Sequence, residues 1–312
     1  MKVLHLDETH PKLYRELKKI GISNHFDFKS NKNKIENIIS SYTGIILRSR
    51  IKIDKSMIDK AVNLKFIARM GSGLENIDTV YAKKNKIEII SSPEGNANAV
   101  GEHALGMLLS LINNMYYSQK EIFDGLWLRE PNRGYELKNK VIGIIGYGNT
   151  GKSLAKKLSG MEVKVLFNDL KPNLSNKFAK QVSIETIQNE CNVISIHTSF
   201  NLKSNRLINK SFIEKCKKPF WLVNTSRGQC VVLKDLVDAI KKGKILGAAL
   251  DVIEHEKSSF ENLVSSKKIK SDLLELISLK KIVLTPHIAG WTFESKIQMA
   301  NIILKKIKKF TK

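Results

Sequence analysis

The fold of this chain is decided by the stretch Gly143-Ile144-Ile145-Gly146-Tyr147-Gly148-Asn149-Thr150-Gly151. Within it, Gly146, Gly148 and Gly151 have the spacing GxGxxG, directly after a β-branched run that predicts a strand and directly before a helical pattern. The first glycine permits the tight turn, the second lets the backbone approach a pyrophosphate, and the third allows close helix packing. The helix N-terminus, where Asn149 and Thr150 lie, offers N–H groups and a positive dipole end to phosphates. The stretch therefore predicts a dinucleotide-binding turn.

An acidic residue follows the next predicted strand, residues 163–167. Asp169 stands 18 residues after Gly151, close to the spacing of about 20 residues expected for the carboxylate that binds the adenosine ribose hydroxyls. A carboxylate there repels a 2′-phosphate, so Asp169 favours NAD over NADP. A role as a helix cap or turn residue is the alternative.

Alternating strand and helix patterns extend in both directions from this turn. Short β-branched runs predict strands at residues 3–6, 44–47, 65–69, 88–90, 141–145, 163–167, 193–197, 220–224, 247–250 and 282–284. Helical patterns lie between them, and a long apolar helix, residues 99–119, is predicted to be buried. The sequence therefore predicts an α/β protein with two doubly wound parallel-sheet domains, the second of the Rossmann type.

The composition is that of a folded chain with two domains. Its 312 residues are 42% apolar and 27% charged, which excludes a disordered protein. No apolar run approaches the roughly 20 residues needed to span a bilayer, and the first residues do not form a signal peptide. The three cysteines, Cys191, Cys216 and Cys230, lack metal-ligand spacing, so neither a zinc module nor a disulfide scaffold is expected. These features predict a cytoplasmic protein with no metal site and no membrane partner.

The net charge of +23 and the pI near 9.8 would ordinarily indicate a nucleic-acid partner. However, 45 of the 53 basic residues are lysines, which are spread along the chain among many Asn and Ile residues. This bias is typical of AT-rich codon usage, which replaces arginine by lysine without building a site, so no nucleic-acid partner is expected. The eight arginines are more informative, because lysine cannot replace the planar guanidinium where bidentate geometry matters.

Three further segments follow predicted strands, at the sheet edge where doubly wound proteins bind ligands. They contain Asn224-Thr225-Ser226-Arg227-Gly228, Leu250-Asp251-Val252-Ile253-Glu254-His255-Glu256 and Thr285-Pro286-His287. Together they supply an arginine, a choice of acids and a histidine, the set that oxidation of a hydroxy acid needs. The arginine can hold a carboxylate in bidentate fashion, and the histidine can take the hydroxyl proton as hydride leaves. An acid beside the histidine would orient its ring.

These ordered motifs resemble the family of D-isomer-specific 2-hydroxyacid dehydrogenases over essentially the whole chain. By motif, the resemblance implies that Arg227 binds the substrate, that Glu256 is the acid of the pair and that His287 transfers the proton. Asp251 would lie near the nicotinamide end of the cofactor. Further cofactor contacts are expected at the ends of the central strands, from His197, Thr198 and Thr225.

The N-terminal part carries the substrate residues that the resemblance implies. Arg69, Gly71 and Ser72 belong to a loop whose N–H groups meet the substrate carboxylate in the family. Arg48, within Leu47-Arg48-Ser49-Arg50, and Arg129, within Trp127-Leu128-Arg129, match arginines of the phosphoglycerate branch. In that branch the first faces the substrate phosphate and the second lies near the neighbouring subunit's active site. Solvated surface arginines are the alternative for both.

The resemblance also implies a domain layout. Residues 1–97 and 291–312 would form a flavodoxin-like substrate domain, and residues 98–290 an NAD-binding domain inserted into it, with the active site in the cleft. A homodimer is expected, formed through the helix at 99–119 and the segment around Trp127. Because the sequence ends at Lys312, the C-terminal regulatory domains of some relatives, and feedback by serine through them, are not expected.

The expected reaction is the NAD-dependent oxidation of 3-phospho-D-glycerate to 3-phosphooxypyruvate, the entry step of serine synthesis. Glyoxylate/hydroxypyruvate or D-lactate-type reductases share the machinery and are the first alternative. A corepressor-like protein that binds NADH as a signal is an alternative of another class, and the complete set Arg227, Glu256 and His287 argues against it. One departure falls close to this set, since Lys257 stands where the family has a proline and a Lys- and Ser-rich insertion follows.

Overall fold

The computed structural model describes residues 1–254, 256 and 271–311. The chain divides into two units, Met1–Ala97 with Trp291–Lys312 and Asn98–Gly290. Each unit is built around one parallel sheet with helices between its strands. The predicted α/β fold class with two parallel sheets is confirmed.

In chain order the strands are β1 (Lys2–His5), β2 (Ser23–Phe26), β3 (Gly44–Leu47), β4 (Phe66–Arg69), β5 (Glu88–Ser91), β6 (Val141–Ile145), β7 (Lys164–Asn168), β8 (Lys180–Gln181), β9 (Val193–Ile196), β10 (Phe220–Asn224), β11 (Ile245–Leu250) and β12 (Ile282–Leu284). The helices are α1 (Pro11–Lys19), α2 (Lys32–Ile38), α3 (Lys55–Lys60), α4 (Thr79–Lys84), α5 (Ala97–Ile112), α6 (Met115–Phe123), α7 (Asn149–Leu158), α8 (Ile184–Glu190), α9 (Lys210–Lys215), α10 (Leu233–Lys241), α11 (Ser271–Ser278) and α12 (Phe293–Phe310). Among the described residues, no helix combines the length and the apolar composition that spanning a bilayer requires.

The strands of the first unit lie in the order β2-β1-β3-β4-β5, which is the flavodoxin-like doubly wound order. Successive residues of its central strands point to opposite faces of the sheet. On one face, Leu4, Ile45 and Ile67 pack with α2, α3 and α4. On the other face, Val3 and Ile46 pack with α1 and α12. Burial on both faces explains why these strands are continuous apolar runs.

The strands of the second unit lie in the order β12-β11-β10-β9-β6-β7-β8. This is the Rossmann arrangement with a seventh strand, β12, added beyond β11. The strand order reverses between β6 and β9. In such sheets a ligand binds at this point, outside the carboxyl ends of the strands.

The prediction of one long helix at residues 99–119 is wrong in one respect. The structure has two helices there, α5 and α6. Asn114 separates them in a left-handed conformation with φ of 52°. Asparagine tolerates this conformation because its short polar side chain can bond locally, so the pair Asn113-Asn114 interrupts the helix. α5 buries an apolar face against the sheet, whereas every side chain of α6 is at least partly exposed.

Candidate active site

The glycine turn joins β6 to α7. Gly146 has φ of +93°, which a residue with a Cβ rarely adopts. A Cβ added to Gly146 would lie 2.8 Å from the backbone of His197 and Thr198, and one added to Gly151 would lie 2.2 Å from the Gly146 oxygen. These two glycines are therefore required by the turn itself. Gly148 is different, because a Cβ there would meet nothing within 4 Å, which leaves room for a ligand.

The helix α7 starts at this open position. Gly148 is its N-cap residue, and Asn149 and Thr150 form its first turn. A helix N-terminus presents N–H groups without helical partners, which suit a pyrophosphate. Asp169 follows β7, and its carboxylate accepts a hydrogen bond from the Tyr147 N–H at 2.6 Å. The structure thus places this acid beside the turn, and gives it the turn-stabilising bond that was the alternative role.

In the described part of the second unit, two buried polar atoms at the ends of central strands have no hydrogen-bond partner: His197 Nδ1 and Thr225 Oγ1. The other ring nitrogen of His197, Nε2, lies 2.8 Å from Ser195 Oγ. Burial lowers the pKa of this histidine to about 4, so its ring is neutral at pH 7. Buried polar groups almost always have partners. His197 follows β9, beside the reversal of strand order, and Thr225 follows the neighbouring strand β10. With the adjoining Thr198, they fit the polar groups of a bound dinucleotide.

Arg227 is carried by a tight turn after β10. The side chain of Asn224, which is fully buried, accepts hydrogen bonds from the N–H and the hydroxyl of Ser226. It also donates to the Arg227 carbonyl oxygen at 3.0 Å. The guanidinium of Arg227 donates to the Ser226 carbonyl oxygen at 2.7 Å. Asn224 therefore folds the turn that projects the arginine.

The Arg227 turn packs directly against the loop after β11. A Cβ added to Gly228 would lie 1.9 Å from the carbonyl oxygen of Ile253, so only glycine permits this contact. In the same loop, Glu254 accepts a hydrogen bond from the Leu233 N–H at 2.9 Å and thereby caps α10. Its structural role separates Glu254 from Glu256, two residues later.

The ring of His287 is held by Glu256 through a hydrogen bond between Nδ1 and Oε1. The two side chains are 28% and 18% exposed, respectively, so both can meet a ligand. An ionised carboxylate only accepts, so Nδ1 carries the proton and Nε2 is the nitrogen that can exchange a proton with a substrate. The structure thus brings these two predicted catalytic residues together. His255, Lys257 and the following residues to 270 lie outside the described residues.

Asp251, predicted as a cofactor residue, lies directly after β11 and is 1% exposed. Its carboxylate accepts hydrogen bonds from the Thr285 hydroxyl and from the N–H groups of Ile288 and Ala289. The structure therefore shows that Asp251 holds the loop that carries His287.

In the first unit, the last residue of β4 and the loop after it carry three predicted substrate residues. Gly71 has φ of +141°, and a Cβ there would lie 1.8 Å from Nη1 of Arg69. The Gly71 N–H donates to Ser92 Oγ at 3.0 Å, and Ser72 Oγ donates to Asn96 Oδ1 at 3.2 Å. Arg69 therefore folds back over the glycine, and the predicted residues form one group.

Arg48 follows β3, which pairs with β4, so it lies at the same sheet edge as Arg69. Its guanidinium stacks on the ring of Trp291, with Cζ 3.8 Å from the ring centroid, and Lys296 Nζ is 5.1 Å from the same centroid. Burial lowers the pKa of Arg48. Arg50, by contrast, donates to three backbone carbonyl groups and has a structural role.

Arg129 lies in the second unit, on the exposed segment that follows α6. Its neighbours Phe123 and Trp127 are 78% and 79% exposed. This segment therefore presents a large apolar surface.

Sequence reasoning missed several residues that organise the site. Asn224 and Gly228 lie inside the segment Asn224-Thr225-Ser226-Arg227-Gly228. Asparagine and glycine are typical turn residues, so the sequence does indicate a turn there. His103 had no such signal. It meets Thr285, 182 residues away, through a 3.0 Å contact between Nε2 and Oγ1.

Comparison with known proteins gives a consistent result. The NAD-binding domain of the D-isomer specific 2-hydroxyacid dehydrogenases matches residues 105–289. A D-3-phosphoglycerate dehydrogenase of Archaeoglobus fulgidus is 31% identical over 312 residues, which cover 98% of this chain and 56% of the relative. The present chain thus spans little more than half of that protein. A hydroxypyruvate reductase of Thermotoga maritima is 31% identical over 276 residues, 88% of this chain and 87% of the relative.

A solved structure shares the fold at lower identity. The D-lactate dehydrogenase of Aquifex aeolicus, complexed with NAD and lactic acid, has a TM-score of 0.86 and 24% identity, covering 100% of this chain and 95% of that chain. The likeness extends over both units.

Proposed function

Because the chain belongs to the family of D-isomer-specific 2-hydroxyacid dehydrogenases, we propose that it oxidises 3-phospho-D-glycerate to 3-phosphooxypyruvate with NAD, the first step of serine biosynthesis. The observation that carries the chemistry is the hydrogen bond between His287 Nδ1 and Glu256 Oε1. It fixes the tautomer in which Nε2 can act as a base. The buried thiols of the three cysteines suit a reducing cytoplasm, where we place the reaction.

In the proposed reaction each of the site residues has a separate role. When bound at the glycine turn, with Asp169 at the ribose, NAD supplies the acceptor for the hydride that leaves substrate C2. Nε2 of His287 takes the hydroxyl proton, and the carboxylate of Glu256 stabilises the resulting imidazolium. Arg227 binds the substrate carboxylate in bidentate fashion and polarises the oxygen on C2. In the reverse direction His287 returns the proton to the oxygen of the 2-oxo acid.

A phosphorylated substrate is supported by the surroundings of Arg48. A guanidinium stacked on Trp291 is restrained before any ligand arrives, and its planar set of N–H donors suits the bidentate contacts that phosphate forms. Lys296 adds a second positive charge beside the same ring. The similarity to a phosphoglycerate dehydrogenase agrees with this substrate. The similarity to a hydroxypyruvate reductase supports the alternative, reduction of an unphosphorylated 2-oxo acid by the same machinery.

NADH absorbance with a panel of acids tests the proposal. The panel pairs 3-phosphoglycerate with glycerate and 3-phosphooxypyruvate with hydroxypyruvate, and adds glyoxylate and D- and L-lactate. We expect kcat/KM to favour the phosphorylated member of each pair by at least about 10-fold, which corresponds to one charge-assisted contact of about 1.4 kcal/mol. Equal efficiency would move the protein to the reductase branch, and tight NADH binding without turnover would support a sensor.

A matched pair of arginine variants assigns the phosphate contact. Arg48→Met should remove the preference for the phosphorylated substrate while leaving turnover of hydroxypyruvate nearly unchanged. Arg15 is an exposed arginine of α1 in the same unit, so Arg15→Met controls for the loss of one positive charge. If both variants lower the preference equally, the effect is one of general charge and Arg48 does not bind the phosphate.

We also propose a homodimer formed through the apolar surface of α6 and the segment after it. Arg129, in this segment, would then lie near the substrate site of the partner subunit. A partner face agrees with the exposure of Phe123 and Trp127, because large exposed apolar patches mark interaction sites.

A further inference from the structure

Three residues from distant parts of the sequence meet behind the loop that carries His287. His103, on α5, places Nε2 3.0 Å from Thr285 Oγ1. Thr285 Oγ1 lies 2.6 Å from Asp251 Oδ1, and the Asp251 side chain is 1% exposed. The Asp251 carboxylate, the Thr285 hydroxyl and the His103 imidazole therefore form a hydrogen-bond network.

The direction of each hydrogen bond follows from the groups involved. The Asp251 carboxylate accepts through both of its oxygens, Oδ1 from the Ile288 N–H and Oδ2 from the Ala289 N–H, both at 2.8 Å. The Thr285 hydroxyl therefore donates its hydrogen to Asp251. Its oxygen then accepts from His103, which fixes the tautomer of His103 with the proton on Nε2.

The loop needs this support because of its backbone conformation. His287 has φ of +55°, a region that only a few per cent of non-glycine residues adopt, with asparagine, aspartate and histidine the most frequent among them. Such a conformation persists only where its surroundings determine it. The His287 N–H donates to the backbone oxygen of Asp251 at 2.8 Å, so one residue binds three successive N–H groups, of residues 287–289.

We propose that His103 and Thr285 are positioning residues that act through Asp251 to fix the place of the His287 imidazole. Thr285 orients the Asp251 carboxylate toward the loop, and His103 orients the Thr285 hydroxyl. The inference rests on the proposed function, because it assumes that His287 exchanges the proton. It gives the pair Asp251 and Thr285 a role that cofactor binding alone does not require.

Two pairs of variants distinguish the effect of losing a hydrogen-bonding group from the effect of changing the side-chain volume. Thr285→Val removes the hydroxyl at nearly constant shape, and Thr285→Ser keeps it. His103→Leu removes the donor, and His103→Gln keeps an N–H near the same place. Thermal melting identifies any variant that fails to fold.

We expect Thr285→Val to lower kcat by about 10- to 100-fold, the effect of a small misplacement of a catalytic group, with the dissociation constant of NADH nearly unchanged. Thr285→Ser should restore turnover. His103→Leu should show a smaller loss that His103→Gln reduces. Hydrogen–deuterium exchange of the N–H groups of residues 287–289 should be about 5- to 10-fold faster in Thr285→Val, because one supporting hydrogen bond is lost.

Three results would overturn the inference: unchanged kcat and exchange in Thr285→Val, equal losses in the Val and Ser variants, or a loss of NADH affinity that matches the loss of kcat. The exchange measurement needs no substrate. If the wild-type protein oxidises none of the acids tested, the proposed function fails, while exchange still decides whether Thr285 and His103 hold the loop.

Discussion

His287 combines a chemical role with an unusual backbone conformation. Asparagine adopts its φ of +55° far more readily than alanine. We therefore expect His287→Asn to keep the loop and lose only the imidazole. Its kcat should fall by about 10²- to 10⁴-fold, the range for loss of a general acid–base group, and NADH affinity, measured by fluorescence titration, should change little.

His287→Ala is the matched comparison. It loses the same imidazole but strains the backbone, so it should have a similar kcat and a lower melting temperature than His287→Asn. If His287→Asn weakens NADH binding as much as it lowers kcat, His287 holds the cofactor and is not the proton-transfer residue.

His5 illustrates a residue whose burial affects stability and not chemistry. Its side chain is buried at the end of β1 with Nε2 2.8 Å from Asn24 Oδ1, and burial lowers its pKa from 6.5 to about 4. Between these values the unfolded chain binds more protons than the folded one. The contribution of neutral His5 to the free energy of unfolding should therefore be fully present above pH 6.5. It should decrease as the pH falls toward 4, by up to about 1.4 kcal/mol per pH unit.

Urea unfolding at several pH values between 7 and 4 measures this slope. His197 has a pKa lowered to about 4 in the same way, so the wild-type slope contains both histidines. His5→Gln should reduce the slope, because it removes one of these two buried histidines. An identical slope in His5→Gln and wild type would show that His5 is not buried in its neutral form.

Among the elements, the start of α7 allows a sharp test of cofactor binding. Because a Cβ at Gly148 meets no protein atom within 4 Å, Gly148→Ala should leave the melting temperature nearly unchanged. The new methyl group would occupy the space where the backbone approaches the pyrophosphate, so the affinity for NADH should fall by at least about 10-fold, or 1.4 kcal/mol.

Gly160 provides the control, since a Cβ there also meets nothing within 4 Å and it lies beyond the other end of α7. Gly160→Ala should bind NADH like the wild type. Unchanged affinity in Gly148→Ala would mean that the dinucleotide does not contact this turn.

Strands with an apolar run are predicted from the sequence, including the edge strands β5 and β12, whereas the polar edge strands β2 and β8 are not. Burial on both faces demands apolar residues in a central parallel strand, and β6 and β10 have the predicted bounds. The edge strands β2 and β8 read Ser-Asn-His-Phe and Lys-Gln, which gives no apolar run. Their pairing with a neighbouring strand creates them, and a local pattern does not contain that neighbour.

The candidate site is likewise predicted from the sequence only where its residues stand in local motifs. The pair Glu256 and His287 is predicted because each residue stands in a local motif after a strand, and parallel strands bring their carboxyl ends to one edge. The contact of His103 with Thr285 depends on how α5 packs against the ends of β11 and β12, so no spacing along the chain indicates it.

At the scale of the molecule, the exposed apolar surface of residues 115–135 indicates a site of interaction with a partner. Phe123 and Trp127 are both more than three-quarters exposed, although most of the large apolar side chains of this unit are buried in its core. Burying such aromatic side chains contributes strongly to association. A second copy of the chain would cover the same residues on both subunits, as a two-fold interface requires.

Analytical ultracentrifugation tests this dimer. We expect the wild type to sediment at twice the 35.3 kDa of the chain, and Trp127→Glu to sediment as a monomer, because a charge would be buried at the interface. Phe293, in the first unit, is 89% exposed, so Phe293→Glu controls for the exchange of an exposed aromatic residue by an acid and should remain dimeric.

The same variants test whether dimerisation completes the site. If Arg129 of one subunit reaches the substrate of the other, the monomeric Trp127→Glu should show the same increase in KM for substrate as Arg129→Met, which keeps the dimer. Trp127→Glu that remains dimeric would place the interface elsewhere. A monomer with the KM of the wild type would instead show that each subunit binds substrate with its own residues alone.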